Sequence, residues 1–251
     1  MYFAYRNYTR NMAQTTRTLE ERNESMGGLA KGLAVIECFD RDHPRLAVTD
    51  AARLAGLAPA VARRCMRTLE QLGYLSYDGK YYRPTPRFAR LADAFTLADP
   101  LPSLAMPLLD ELRDALHETA SLSILDGEEV LFVARSEAAH LVATSLRVGG
   151  RLPSTRTAAG QVLLAALPPD ARLSRETREL LDRVRADGYA LTDQEVELGL
   201  RAIAVPVVDA SGACVAAMSL SAVTARATVE RLVEEFLPEL RTRAERLGRS
   251  L

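Results

Sequence analysis

Three arginines, Arg63, Arg64 and Arg67, stand within APAVARRCMRTLEQLGYL and carry the first chemical signal of the chain. At about 100° per residue, a helix places them with Ala60 on one side and Val61, Cys65, Leu69 and Leu72 on the other. A guanidinium fork donates two parallel hydrogen bonds to guanine O6 and N7 or to a phosphate, so a helix divided in this way suits a DNA groove. An ordinary solvated helix surface carries the same residue types, and the flanking sequence has to decide between the two.

A second constellation suits an organic acid. Thr157-Ala158-Ala159-Gly160 opens an apolar helix, where unpaired N–H groups and the positive end of the helix dipole attract a carboxylate and small side chains let a ligand approach. Arg156 stands beside it as a bidentate clamp. Asp193 heads an acidic cluster with Glu195 and Glu197. Ser219 and Ser221 alternate with Met218 and Leu220, which puts both hydroxyls on one face of a strand. Leu146 and Val148 supply an apolar wall for a ring. Each has a plainer role as well: a capped helix with Gly160 allowing close packing, a solvated arginine or acidic loop, and simple core.

Other chemistry finds no support. No Ser/His/Asp set stands in a recognisable context and no phosphate-cradling glycine loop is present, so no catalytic residues are expected. His43, His117 and His140 lack metal-ligand spacing, and Cys38, Cys65 and Cys214 occur singly as small buried residues of a reducing compartment. Neither a metal nor a cofactor is implied.

The elements that must hold these residues follow from local signals. Thr49 is placed to cap a short helix through Ala51, Ala52 and Leu54, and Gly56 breaks it. A second helix starts near Ala58 and Pro59, since proline is tolerated in a first turn, and Gly73 stops it after Leu72. Tyr74, Leu75 and Tyr77, then Asp78-Gly79, then Tyr81-Tyr82 specify a hairpin. Helix, turn, helix and hairpin together make a winged helix-turn-helix, with Thr49, Pro59, Ala60 and the three arginines at a major groove and Lys80 and Arg83 on a wing near phosphates. Leu29, Leu33, Ile36 and Phe39 mark a preceding core helix. A helix at 87–98, with Phe88, Leu91 and Phe95 on one face, reads as a linker with a natural dimer edge.

From Pro102 to Thr119 an amphipathic helix (Leu104, Leu108, Leu112, Leu116) opens a second domain. It continues with a hairpin of ASLSIL and EVLFVAR around Asp126-Gly127, a strand LVATSLRVG, the helix QVLLAAL, and a charged helix from Glu176 to Asp187. Strands AIAVPVV and ACVAAMSLS follow, and a helix from Thr228 to Leu247 ends the chain. The expected class is therefore α+β with an antiparallel sheet. The boundaries read as a disordered tail at 1–25, a DNA-binding domain at 26–86, a linker helix at 87–99 and an effector domain at 100–251.

Charge supports this division. Residues 26–90 carry eleven cationic and six anionic side chains, whereas 91–251 carry seventeen and twenty-four, an asymmetry concealed by the total of −1. A basic module joined to an acidic one touches nucleic acid with one end. No stretch of about 18 apolar residues and no apolar leader is present, so a cytoplasmic protein without membrane contact is expected.

Five motifs in order, LAKGLAVIECF, ARRCMRTLEQLGYL, SLRVGGRLPSTRTAAGQVLLAAL, GYALTDQEVELGLRAIAVPVVDASG and VAAMSLS, make residues 26–250 resemble the IclR family of bacterial transcriptional regulators. The ARR-x-x-x-TLE-x-LGY form looks most like the branch regulating protocatechuate, 4-hydroxybenzoate and related aromatic-acid catabolism. The resemblance implies a winged helix-turn-helix, a linker helix and a GAF-like effector domain. It also implies homodimers or homotetramers on operator DNA, with occupancy or promoter activation tuned by a small organic acid, and RNA polymerase as a further partner for an activator. Two departures stand out. Ala58-Pro59-Ala60 replaces the Ser, Thr or Arg of many relatives, and Ser154-Thr155-Arg156 replaces a His or Tyr–Ala pair. The competing readings are an architectural DNA-binding protein without effector control and a small-molecule sensor or enzyme built on the second domain.

Overall fold

The computed structural model describes residues 26–40, 43–91, 100–139 and 146–251, which fall into two compact units, 26–91 and 100–251. The first contains helices α1 (Gly27–Ile36), α2 (Val48–Leu54) and α3 (Pro59–Gln71) and a hairpin of β1 (Leu75–Tyr77) and β2 (Tyr82–Pro84). Its small core joins Val35, Leu46, Ala51, Met66, Leu69, Leu75 and Tyr82. Leu46 pairs with Tyr82 through N–H···O bonds of 3.0 and 2.9 Å, an isolated bridge at the edge of the two-stranded wing. That pairing holds the chain extended through Ala47, so α2 begins at Val48 with Ala47 as its cap residue. Thr49 therefore lies inside the first turn and caps nothing, contrary to the sequence expectation.

Helix α3 starts as expected, with Ala58 extended and Pro59 in the first turn, and Gly73 takes φ +78° just past its end. Its buried face is Ala62, Met66 and Leu69, with Val61 and Cys65 half-buried, while Leu72 is 52 % exposed. The core face is thus turned part of a revolution from the expected one. Leu29 and Leu33 are exposed too, and Val35 is the buried residue of α1. Phe88 packs with Tyr74 at 5.1 Å in this unit's core. The expected linker helix shows a 3-10 turn at Pro86–Phe88 and helical residues to Leu91; its remainder, with Phe95, lies outside the described residues, as does the expected tail.

The second unit is built on a six-stranded antiparallel sheet of order β5-β4-β3-β8-β7-β6. Its strands are β3 (Thr119–Asp126), β4 (Glu129–Ser136), β5 (Arg151–Pro153), β6 (Ala190–Asp193), β7 (Leu200–Val208) and β8 (Cys214–Val223). One face is covered by α4 (Leu101–Leu116) and by a C-terminal run of α7 (Val229–Arg231), a π-turn (Leu232–Phe236) and α8 (Leu237–Arg249). The other face is covered by α5 (Ala158–Ala165) and α6 (Arg175–Asp187). Alternation sorts the strands: Leu122, Ile124, Ile203, Val205, Met218 and Leu220 point to the first face, and Val130, Phe132, Ala204 and Ala217 to the second.

Differences from the sequence expectation are local. Leu104 is 39 % exposed, because the core side of α4 runs through Leu101, Ala105, Leu108, Leu109 and Leu112. The strand LVATSLRVG is not found where it is described: 146–150 form coil and a turn, and the pairing is made by Arg151–Pro153 on β4. Its first part lies outside the described residues. Strand β6 was not anticipated; it pairs along β7 from Ala190↔Ala204 to Asp193↔Arg201.

Candidate functional site

Two surfaces carry the chemistry. In the first unit, Pro59 and Ala60 open the exposed side of α3, and Arg63, Arg64 and Arg67 stand along it, all exposed. None of the three guanidiniums forms an ion pair among the described residues, so their donors face solvent. Arg63 and Arg67 lie close enough to the buried phenol of Tyr82 to be felt there, although burial dominates and raises the Tyr82 pKa. These two arginines are therefore on the wing side of α3.

The wing turn is organised by Asp78. Its Oδ1 accepts from the Lys80 and Tyr81 N–H groups at 3.0 and 2.7 Å, and these bonds hold its carboxyl below the usual range. Arg83 reaches Asp78 loosely at 3.5 Å. Lys80 lies over the Tyr81 ring at 5.1 Å, and Arg45 approaches that ring at 4.7 Å. Arg45 was missed in the sequence because it precedes α2; the Leu46–Tyr82 pairing brings it to the wing. The arrangement presents a cationic helix face flanked by a cationic wing, as docking into a groove with contacts to flanking phosphates requires.

The second surface is the α5 side of the sheet. Thr157 caps α5, its Oγ1 accepting from the Gly160 N–H at 3.0 Å. Gly160 packs on the preceding 3-10 turn so closely that a Cβ there would lie 2.1 Å from the Ser154 carbonyl oxygen. One expected donor is thus consumed by the cap, and Gly160 serves packing. Thr157, Ala158, Ala159 and Gly160 are all buried. Arg156 is exposed and donates to the Glu195 carbonyl, and Gln161 Nε2 donates to Thr155 O at 3.2 Å and Glu195 Oε2 at 3.3 Å. Burial raises the Glu195 pKa against these partners. Arg156 thereby ties the Glu195 segment to the α5 entrance, and Asp193 is tied to Arg201 across β6 and β7 at 2.8 and 3.2 Å, which lowers its pKa. Val148 is 59 % exposed at a turn and builds no wall, whereas Leu146 packs against the α5-side core.

Register reveals what the sequence reading overlooked. Arg135 pairs with Ser121, Ser121 with Ser219, and Ser219 with Ala204, a continuous row across β4, β3, β8 and β7. The next row contains Thr119, Ser221, Ala202 and Thr192. Ser219 and Ser221 therefore share a face as expected, joined by Ser121 and by an arginine whose side chain is 4 % exposed. Ser123 Oγ and Gln161 Oε1 are buried without a hydrogen-bond partner among the described residues. Ser123 lies on this face and Gln161 on the helix above it. A floor of hydroxyls and one dry guanidinium beside Phe132 and Val162 has the donors for a carboxylate and apolar surface for its body. A groove of about 430 Å³ beside Leu104, Glu111 and Arg246 shares no residue with it.

No group of three or more His, Cys, Asp or Glu side chains among the described residues is placed to hold a metal ion. Burial pushes the Cys214 thiol up to about 11, leaving it a poor nucleophile. No described helix is long and apolar enough to cross a membrane.

Comparison with known proteins identifies both units. The IclR helix-turn-helix domain matches residues 28–79, and the bacterial transcriptional regulator IclR C-terminal domain matches residues 98–175 and 173–249. The Pca regulon regulatory protein of Pseudomonas putida is 38 % identical over 86 % of this chain and 80 % of its own. The p-hydroxybenzoate hydroxylase transcriptional activator of Acinetobacter baylyi is 36 % identical, covering 88 % of this chain and 90 % of its own. The crystal structure of an IclR homolog complexed with 4-hydroxybenzoate, from Microbacterium hydrocarbonoxydans, superposes with a TM-score of 0.76 at 28 % identity, covering 88 % of this chain and 98 % of that one.

Proposed function

The chain belongs to the IclR family of bacterial transcriptional regulators, and from that premise we propose that it binds an operator through α3 and the wing under the control of an aromatic acid. Arg63, Arg64 and Arg67 enter the major groove at the turn formed by Thr49, Pro59 and Ala60, while Lys80, Arg83 and Arg45 meet phosphates. The acid lies on the α5 side of the sheet, over Ser219 and Ser221 and beside Leu146 and the Thr157–Gly160 entrance. The observation that carries this reading is the conjunction of three exposed arginines on one helix face, without an ion pair among the described residues, with a buried, hydroxyl-rich sheet face in the other unit. The regulators of Pca genes and of p-hydroxybenzoate hydroxylase, and the homolog holding 4-hydroxybenzoate, support an aromatic acid as effector class.

We place the working boundaries at 26–86 for DNA binding, 87–99 for the linker and 100–251 for the effector domain. The protein acts as a homodimer or homotetramer and, where it activates, engages RNA polymerase. Anisotropy titration of DNA from upstream of its own gene against scrambled DNA of equal length, with and without 4-hydroxybenzoate, tests the whole reading. A large preference for the upstream DNA that shifts about 5-fold to 150-fold with effector is expected, the range of ordinary allosteric coupling. Equal binding to both DNAs overturns the regulator reading, and an effector without influence on either overturns effector control.

A further inference from the structure

A guanidinium taken out of water is stable only beside an anion or a full set of acceptors. Arg135 meets part of this need with Ser121 Oγ, 3.1 Å from Nη1, and with Glu137 Oε1, 3.3 Å from Nε. The two partners differ in kind. Ser121 is 3 % exposed and fixed in the sheet, whereas the Glu137 side chain is 38 % exposed and reaches in from the rim two residues beyond Arg135. Glu137 also lies 3.8 Å from Arg147. Its carboxylate thus occupies the approach to the only arginine in the Arg135–Ser121–Ser219 row. We propose that Arg135 is the carboxylate anchor of the effector site, and that Glu137 is a tethered stand-in which the effector's own carboxylate displaces.

This rests on the acid-effector reading above and adds its regulation and ligand chemistry. Burial lowers the Arg135 pKa while Glu137 raises it, as expected of a desolvated cation beside a half-exposed anion. The unpaired Gln161 Oε1 is an acceptor, so the preferred ligand carries a hydroxyl donor as well as a carboxylate. A hydroxybenzoate has both, on a flat ring that suits Phe132 and Val162.

Because self-pairing taxes ligand binding by the fraction of protein it occupies, removing Glu137 tightens the acid without a new contact. Calorimetric titration of the full chain with 4-hydroxybenzoate is the test. Glu137→Gln is expected to bind about fivefold tighter, and Arg135→Lys, which keeps the charge but loses the fork, about tenfold weaker. The gain from Glu137→Gln should vanish in an Arg135→Gln background, where no cation is left for Glu137 to occupy, which separates displacement from a general rise in local positive potential. It should also vanish for neutral 4-hydroxybenzamide. If wild type binds and Glu137→Gln binds no tighter, or its gain persists in the Arg135→Gln background, the proposal is overturned. Binding by Glu137→Gln alone supports it. Failure of wild type and every variant to bind overturns the acid-effector reading and this proposal with it.

Discussion

The reader helix permits a quantitative dissection, because base contacts and phosphate contacts respond differently to salt. Each phosphate contact contributes about −0.9 to the slope of log affinity against log salt. Between 50 and 200 mM salt, one lost contact therefore shrinks the fall in affinity about 3.5-fold, and two lost contacts, one per half of a dimer, about 12-fold. A bidentate arginine–guanine pair instead sets about 1–3 kcal/mol of preference for the correct sequence at fixed salt. In helix-turn-helix docking the N-terminal part of the reading helix meets base edges. Arg63 and Arg64 lie in that half of α3 and Arg67 one turn beyond. Arg63→Ala and Arg64→Ala should thus relax the preference for upstream over scrambled DNA, and Arg67→Ala should flatten the salt slope for both. Arg175, on α6 of the other unit and paired with Glu179 at 2.7 Å, is the control and should change neither. The assay is anisotropy titration of each variant at four salt concentrations. If the three α3 substitutions leave preference and slope unchanged, or Arg175→Ala matches them, the groove assignment is wrong.

Other substitutions test the scaffold of the effector unit. Gly160→Ala drives a Cβ to 2.1 Å from Ser154 O and 2.4 Å from its Cα, so a loss of about 3 kcal/mol is expected in urea unfolding; a loss below about 0.5 kcal/mol would mean that the turn yields freely. Glu118 is 2 % exposed and accepts from Arg226 at 2.7 and 3.0 Å. Glu118→Gln should cost about 2 kcal/mol, since the side chain of Arg226 keeps some solvent, and an unchanged urea midpoint would refute the pair's importance. Asp193 titrates below its ordinary range because Arg201 bonds its charged form. Its stabilisation is complete above the unfolded value of 3.8 and is lost as pH falls through the lower folded value. Asp193→Asn should therefore be less stable than wild type at pH 7, and the difference should close as pH falls through the lowered folded value. A difference independent of pH would place the effect in packing.

The architecture was legible where period and punctuation agree. Pro59 and Gly73 bracket α3, the Asp126-Gly127 turn joins β3 to β4, and Gly188 ends α6 in the left-handed conformation, each by local backbone chemistry that needs no tertiary context. Legibility failed where a long-range contact overrode a local signal. Thr49 has the chemistry of a cap, but the Leu46–Tyr82 pairing sets where α2 begins. Leu29, Leu72 and Leu104 have helical spacing and apolar side chains, yet each falls on the edge of its stripe and stays exposed. Periodicity gives a face to within part of a turn, and only the packed neighbour fixes its centre.

The effector face shows why a binding site is harder to read than a fold. Counting by twos from Val130 and Phe132 puts Ala134 on the α5 side of β4 and Arg135 on the opposite side. The structure reverses this, because the register slips between Leu122 and Ser123, where Val133 is the extra residue on β4. A bulge inserts one residue and exchanges the two faces of everything beyond it. Ala134 therefore joins the core under α4, and Arg135 turns toward Ser121 and Ser219. The visible arginine of the sequence, Arg156, is spent on the Glu195 carbonyl, while the arginine hidden in an apolar strand is the one placed dry on the hydroxyl floor. Deleting the extra residue leaves Ala134 opposite Leu122 and Arg135 opposite Ser121 in an unbroken ladder, so acid binding should persist and the DNA-binding unit should stay folded. The deletion of Val133, followed by calorimetry with 4-hydroxybenzoate and anisotropy with operator DNA, checks this. Lost acid affinity with operator binding retained would refute the assignment of the site to the Arg135–Ser121 pairing alone and place part of it in the bulge itself.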